Sequence, residues 1–442
     1  MNMLPPFLAF LGITLMAVVT VSGTFFGGST DVLDARVAST VRTVELNGTA
    51  IELVSATYSG DVATLTFRNT GRVALRASES WDVWAAVHDT GGTFYPELLA
   101  RGTTASASAD EWVLHGLYLD AESTSAEAFQ PGIWNPGEEA IFTLNIEPDA
   151  LDPDANLATL ALPSGIAAHA AFTWEALTDA TAATGAGAAI ASDGTYVYAM
   201  RGGSTADFYR YATTGAWDAL TDVPFVVGAG GALAYAEGDG AAYVYALRGD
   251  SQVDFERFLI SDGTWSTQAD VPANAGDGAA MAWDGLNTIY ALRGNGVVDF
   301  WAYNIANNTW STKGDAPGNV GAGGGLAYVD GALYTLGGGT TTDVWAYDVA
   351  TTTWSTIAAT PATVGAGGSL ATDGVDLYAL RGGTQSTFWK YSVARDNWTE
   401  LPVTPTTVAA GGAVHVLNDV AYGLRGNSTA TFWKYPLPVY EP

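Results

Sequence analysis

Five arginines occupy one register of a repeated strand, and they are the residues here best placed to do chemistry. Arg201, Arg248, Arg293, Arg381 and Arg425 each follow Tyr-Ala-Leu or a close variant and precede a glycine. A guanidinium is always charged and can grip a carboxylate or sulfate through two parallel N–H bonds. Alternation along Ile289-Tyr290-Ala291-Leu292-Arg293 puts the arginine on the Ala291 face. If the repeats are arranged radially, five equivalent guanidinium groups share one level, a positive mouth in a chain of formal charge -29. An internal account competes with that reading. Asp207, Asp254 and Asp299 lie six residues beyond Arg201, Arg248 and Arg293 and can neutralise them, as can carbonyls of a neighbouring repeat. Thr387 and Thr431 hold that place after Arg381 and Arg425, which leaves those two freer.

Aromatic residues form a second candidate set. Trp174, Trp217, Trp265, Trp310, Trp354 and Trp398 recur in register and read as packing between repeats. Trp283, Trp301, Trp345, Trp389 and Trp433 are out of that register. The last four each follow an in-register residue by one position, so alternation turns them to the opposite strand face, where they could form a platform for sugar rings. Packing competes here too.

Other chemistries are excluded by composition. With no cysteine there is no disulfide framework, thiol nucleophile, zinc knuckle or iron–sulfur site. The histidines are His88, His115, His169 and His415, and His415 alone lies in the repeats, so neither a histidine metal site nor any cofactor is expected. No Tyr-Glu pair stands out as a hydrolytic nucleophile. The chain is therefore expected not to be an enzyme. Its 46 acidic against 17 basic residues repel nucleic acid and anionic lipid headgroups.

The elements that must position these residues are set by an internal repeat. Tyr-Ala-Met-Arg-Gly and its variants end at Gly202, Gly249, Gly294, Gly338, Gly382 and Gly426, a period of roughly 44 residues that signals stacked or radially arranged units. Each unit runs through a Gly-rich turn, an apolar run, the Tyr-Ala-Leu strand, a strand opening on an aromatic (Phe208, Phe255, Phe300, Phe388, Phe432; Val344 in one unit), and a Trp strand. Four short β-branched and aromatic runs per unit predict four strands, the make-up of a propeller blade. The segment 172–177 is a Trp strand without a unit of its own, and the last unit lacks one, so the two can join and close the ring.

This pattern resembles the Kelch family, whose repeats carry a double glycine after the second strand and then Tyr and Trp at set distances. The likeness covers about residues 171–442 and implies a six-bladed β-propeller. Gly337-Gly338 keeps the glycine pair, whereas arginine replaces its first member in the other five units. Six-bladed relatives include copper oxidases that need a Cys-Tyr cofactor and histidine ligands, which this sequence cannot supply. Sialidases, also six-bladed, bind a carboxylate with three arginines; their Asp-box is matched loosely by Ser261-Asp262-Gly263-Thr264-Trp265.

The N-terminal third reads differently. Residues 1–30 carry no charge, and the apolar stretch 4–26 is long enough to span a bilayer core of about 30 Å. It lacks the basic start and small-x-small end of a cleaved signal, so an uncleaved single-pass anchor is expected, with residues 31–43 as a short stalk and the C-terminal domains outside the cell. Residues 44–170 show strand alternation at 51–58, 62–68, 81–88, 112–119 and 140–146, which predicts a small β-sandwich. Asn69-Thr70-Gly71, Trp81-Asp82-Val83-Trp84, the loop Pro131-Gly132-Ile133-Trp134-Asn135-Pro136-Gly137-Glu138 and Leu162-Pro163-Ser164-Gly165 together resemble archaellum accessory proteins, membrane-anchored sandwiches related to archaellins. Four Asn-x-Ser/Thr sequons, at Asn47, Asn307, Asn397 and Asn427, are compatible with glycosylation.

The fold expected is all-β: a six-bladed propeller behind a β-sandwich and an N-terminal transmembrane helix. The function expected is adhesion or binding at the cell surface, with a surface glycan or surface-layer protein as partner and self-assembly as a further outcome. The alternatives are an accessory part of an archaeal surface filament and a secreted glycan-active enzyme.

Overall fold

The computed structural model describes residues 174–437 apart from Thr214, and within 51–171 the strands and a few adjoining residues. The apolar stretch 4–26, the stalk at 31–43, Asn47 and residues 162–165 lie outside the described residues. Among the described residues all regular structure is strand, and no helix is long and apolar enough to cross a membrane.

Residues 51–171 build a nine-stranded sheet and a separate two-stranded one. Across the larger sheet the order is Ile51–Ser59, Val62–Asn69, Glu139–Asn145, Glu111–Asp120, Phe94–Arg101, Asp82–His88, Leu157–Ala161 and Ala167–Ala171, with Ser125–Ala126 beside Glu111–Asp120. The first and last strands of that path also touch, so the sheet curls back on itself. Leu65 and Phe67 are buried, as alternation along their strand requires, and Phe67 meets Phe142 edge-on at 5.8 Å. Two of the motifs singled out in the sequence come together here. Asn69 donates its backbone N–H to Glu138 O at 3.0 Å and its side-chain amide to Trp134 O at 2.8 Å. The buried Trp134 indole in turn donates to Glu138 O at 2.6 Å.

Residues 174–437 form six antiparallel four-stranded sheets. The first strands of five of them are Ala189–Ser192, Ala232–Gly238, Ala280–Trp283, Gly325–Val329 and Ser369–Thr372. Each of these touches the next, Ser369–Thr372 touches Ala413–Leu417 of the sixth sheet, and Ala413–Leu417 touches Ala189–Ser192 again. The described chain is β-propeller-like.

The repeat residues explain this arrangement. Asp193 Oδ1 accepts the backbone N–H groups of Thr195 and Tyr196 at 2.8 and 2.7 Å, fixing the turn between first and second strands, while Oδ2 accepts the Tyr198 hydroxyl at 2.9 Å. The phenylalanine that opens each third strand packs on two rings of the neighbouring sheet. Phe208 meets Phe258 and Trp265, Phe255 meets Tyr303 and Trp310, Phe300 meets Tyr347 and Trp354, Phe388 meets Tyr435 and Trp174, and Phe432 meets Tyr211 and Trp217, with centroids 4.9–5.9 Å apart. Val344 takes this place in the fourth sheet and joins the cluster of Tyr391 and Trp398. Five indoles add a polar link. Trp217, Trp265, Trp310, Trp354 and Trp398 donate to the carbonyls of Thr178, Thr221, Ala269, Gly314 and Ala358, each four residues past the preceding tryptophan, at 2.8–3.0 Å.

The sixth sheet is assembled from both ends of the region. Glu175–Ala176 pairs antiparallel with Phe432–Pro436, with Glu175 opposite Lys434 and an ion pair of 3.3 Å between them.

Candidate ligand-binding surfaces

Each arginine directly follows the second strand of its sheet, and the turn beyond it requires glycine. Gly249 has φ +67°, and a Cβ there would lie 2.5 Å from the backbone carbon of Gly230. Its neighbour Arg248 is free of that constraint, which is why the preceding position tolerates a long side chain. Backbone bonds fix each arginine in place: Gly185 N–H donates to Arg201 O at 3.0 Å, Gly365 to Arg381 O at 3.1 Å and Ala409 to Arg425 O at 3.2 Å. The adjoining Ala186, Ala366 and Ala410 line the central cavity.

Four of the five guanidinium groups share an orientation, and the five differ in charge environment. Nε–H of Arg201, Arg293, Arg381 and Arg425 donates to the carbonyls of Ala183, Asn274, Thr363 and Thr407 at 2.7, 2.9, 3.1 and 3.3 Å. Arg201, Arg248 and Arg293 also pair with Asp207, Asp254 and Asp299 at 2.7, 2.9 and 2.9 Å. Arg381 and Arg425 form no ion pair with a described residue, and Thr387 and Thr431 stand where the carboxylates would be. The fourth sheet has the reverse: Gly337 replaces the arginine while Asp343 keeps the carboxylate.

The expected tryptophan platform is corrected. Trp301, Trp345, Trp389 and Trp433 are 2%, 5%, 1% and 2% exposed, each inside an apolar cluster. They do face away from the phenylalanine or valine that precedes each of them, but both faces of every sheet are covered by neighbouring sheets, so the opposite face is interior as well. No ring face is left there for a sugar.

Trp283 has a different place. It lines a central cavity of about 350 Å³ whose wall is the first strands of all six sheets. Glycine and alanine at their start keep the cavity open. Four residues past the glycine-rich turns of the first five sheets the wall carries Ser192, Tyr235, Trp283, Tyr328 and Thr372 at one level. Tyr235 and Trp283 meet edge-on at 5.7 Å, and the Tyr235 hydroxyl donates to Glu237 at 2.9 Å. Burial, with that carboxylate's help, pushes the Tyr235 phenol up to about 12, so it stays a neutral donor. The Trp283 Nε1–H is buried without a partner. His415 also lines the cavity, at the position where the other sheets carry Ala191, Ala234, Ala282, Ala327 and Ala371. Its Nε2 lies 3.0 Å from Ser192 Oγ, and desolvation lowers its pKa to about 4, which keeps the ring neutral. The cavity rim was legible in the sequence only through Trp283. Tyr235 and Tyr328 carry no signal until the first strands are placed side by side.

Of the sequons, Asn307 and Asn427 are exposed in turns. Asn397 is half-buried at a strand start, with its Oδ1 enclosed. Among the described residues no group of three or more His, Cys, Asp or Glu side chains is placed to hold a metal ion.

No family model matches the chain, and no curated protein matches it. Among solved structures, that of YjhT aligns with a TM-score of 0.44 and 14% identity over 58% of this chain and 95% of its own. A fungal alcohol oxidase of the AA5 family, solved with copper, aligns with a TM-score of 0.42 and 13% identity over 60% of this chain and 76% of its own. Likeness at that level carries no inference about chemistry.

Proposed function

We propose that this chain is a membrane-anchored cell-surface protein that binds carbohydrate. In this reading residues 1–30 anchor it, residues 31–43 are a stalk, residues 44–170 form a β-sandwich spacer, and residues 171–442 are a six-bladed Kelch-type propeller held outside the cell.

The observation that supports carbohydrate is the cavity rim. Tyr235, Trp283 and Tyr328 come from three successive sheets and line one open cavity of about 350 Å³. Aromatic faces stack on the C–H faces of sugar rings, while the hydroxyl oxygens of Ser192 and Tyr235 in the lining offer hydrogen-bonding partners. A saccharide suits such a mixed lining better than a wholly apolar ligand does.

The test is a glycan array probed with the full-length protein beside the Trp283→Ala variant. Retained glycan binding with at least a tenfold loss in the variant supports the reading. A blank array, with capture of a surface-layer protein instead, replaces carbohydrate with protein as the partner.

A further inference from the structure

We propose that Arg381 and Arg425, on adjacent sheets, form an anion subsite for the sulfate ester or carboxylate of an acidic saccharide. The inference deepens the carbohydrate reading and rests on it.

The argument starts from a broken pairing rule. Where arginine and aspartate occur together, in the first three sheets, they bond at 2.7–2.9 Å. In the fifth and sixth sheets the arginine keeps its place and its Nε–H bond to a carbonyl, at Thr363 O and Thr407 O, but has Thr387 or Thr431 instead of the carboxylate. The backbone reproduces the other sheets: Arg381 N–H donates to Thr387 O and Arg425 N–H to Thr431 O, both at 3.1 Å, as Arg201 N–H does to Asp207 O at 3.2 Å. Each guanidinium is therefore aimed by one bond through Nε, while its two terminal nitrogens have no carboxylate among the described residues. Those are the groups that grip an oxyanion with two bonds.

Charge makes the pair unusual. The protein carries a formal charge of -29, and Asp343, the carboxylate of the arginine-free fourth sheet, forms no ion pair with Arg381. Two such cations on adjacent sheets are, in that field, a local attractor for an anion that the rest of the surface repels. The chain around them is rich in hydroxyls: Thr384 and Ser428 are exposed, and Ser386, Thr387 and Thr431 half-buried. Hydroxyls suit a sugar, and they favour an acidic saccharide over an acidic protein segment.

The deciding variant restores the rule. Thr387→Asp with Thr431→Asp gives the fifth and sixth sheets the pairing already folded in the first three. Titration of the full-length protein with a sulfated oligosaccharide, its desulfated counterpart, poly-glutamate and inorganic sulfate reads the result. The expected outcome is at least a tenfold loss of affinity for the sulfated probe in the double variant, an unchanged affinity for the desulfated one, and the same pattern for Arg381→Met with Arg425→Met. Raising the salt concentration should weaken the sulfated probe in the parent and much less in the variants. Equal affinity of the parent for sulfated and desulfated probes, or no loss in the double variant, overturns the subsite while leaving carbohydrate binding intact. Binding of inorganic sulfate that the double variant loses, with neither saccharide bound, keeps the anion subsite and overturns the carbohydrate reading. Variant-sensitive binding of poly-glutamate in place of both saccharides overturns the assignment to sugar.

Discussion

Trp174 donates its indole N–H to the backbone oxygen of Pro402 at 3.1 Å, across 228 residues of sequence. Pro402 lies four residues past Trp398, so this bond is the sixth of the series made by the other in-register tryptophans. The strand that begins the repeat region thus does in the sixth sheet what each unit's own tryptophan strand does elsewhere. Trp174 is fully buried and packs against Phe388, Trp433 and Tyr435.

Trp174→Ala should therefore destabilise the repeat region by about 3–5 kcal/mol, the range for emptying a buried aromatic site. Trp217→Ala, at a half-exposed equivalent, should cost clearly less. Denaturant titration of both variants measures the difference, and equal costs would deny the closing strand a special role.

Within one dipeptide, Gly337 and Gly338 should respond oppositely. Gly338 has φ +60°, and an added Cβ would lie 2.5 Å from Gly321 O, so Gly338→Ala should cost more than about 2 kcal/mol. At Gly337 the nearest atoms to such a Cβ are side-chain atoms of Thr341, Trp345 and Asp343 at 3.1–3.3 Å. Gly337→Arg should change stability by less than about 1 kcal/mol and create an ion pair with Asp343 like those of the first three sheets. Thermal melts of the two variants check this.

Lys390 and Asp376 form a nearly buried ion pair at 3.1 Å, with side chains 5% and 3% exposed. Asp376→Asn should lower stability by up to about 3 kcal/mol, because the nearly buried pair loses one of its two charges. Adding Lys390→Met to that variant should recover much of the loss, since an apolar residue there needs no partner. A double-mutant cycle in denaturant reads both steps.

His415 should make stability fall in mild acid. Its folded pKa of about 4 lies below the ordinary 6.5, so on acidification the unfolded chain takes up the proton first. The contribution is complete above about pH 6.5 and is lost as pH falls towards 4, on the order of 3 kcal/mol in all. His415→Ala restores the residue of the other five sheets and should flatten that part of the curve; identical pH profiles for the two proteins would refute the assignment.

Sequence carried the repeat region well because its signals are local and recurrent. One period was repeated often enough that the glycine turns, the Phe and Trp registers and the closing strand could all be read. The five strands expected at residues 51–146 also lie within a residue or two of those described. Phe94–Arg101, Leu157–Ala161 and Ala167–Ala171 were missed, the first because Pro96 and Glu97 interrupt its pattern, the others because alanine favours strands only weakly. The arginine partners could be read from a six-residue spacing, yet the tryptophan platform could not be judged. Strand alternation assigns a face; whether solvent or another sheet covers it is a property of the assembled ring. For the same reason Tyr235 and Tyr328 stayed hidden, since their common level exists only once six distant strands stand side by side.

The junction between Glu175–Ala176 and Phe432–Pro436 sets an order of events in biosynthesis. Among the strands of the six sheets the closing one is translated first, and its partner is translated last. Until that partner is made the indole of Trp174 has no lodging, and the ring stays open.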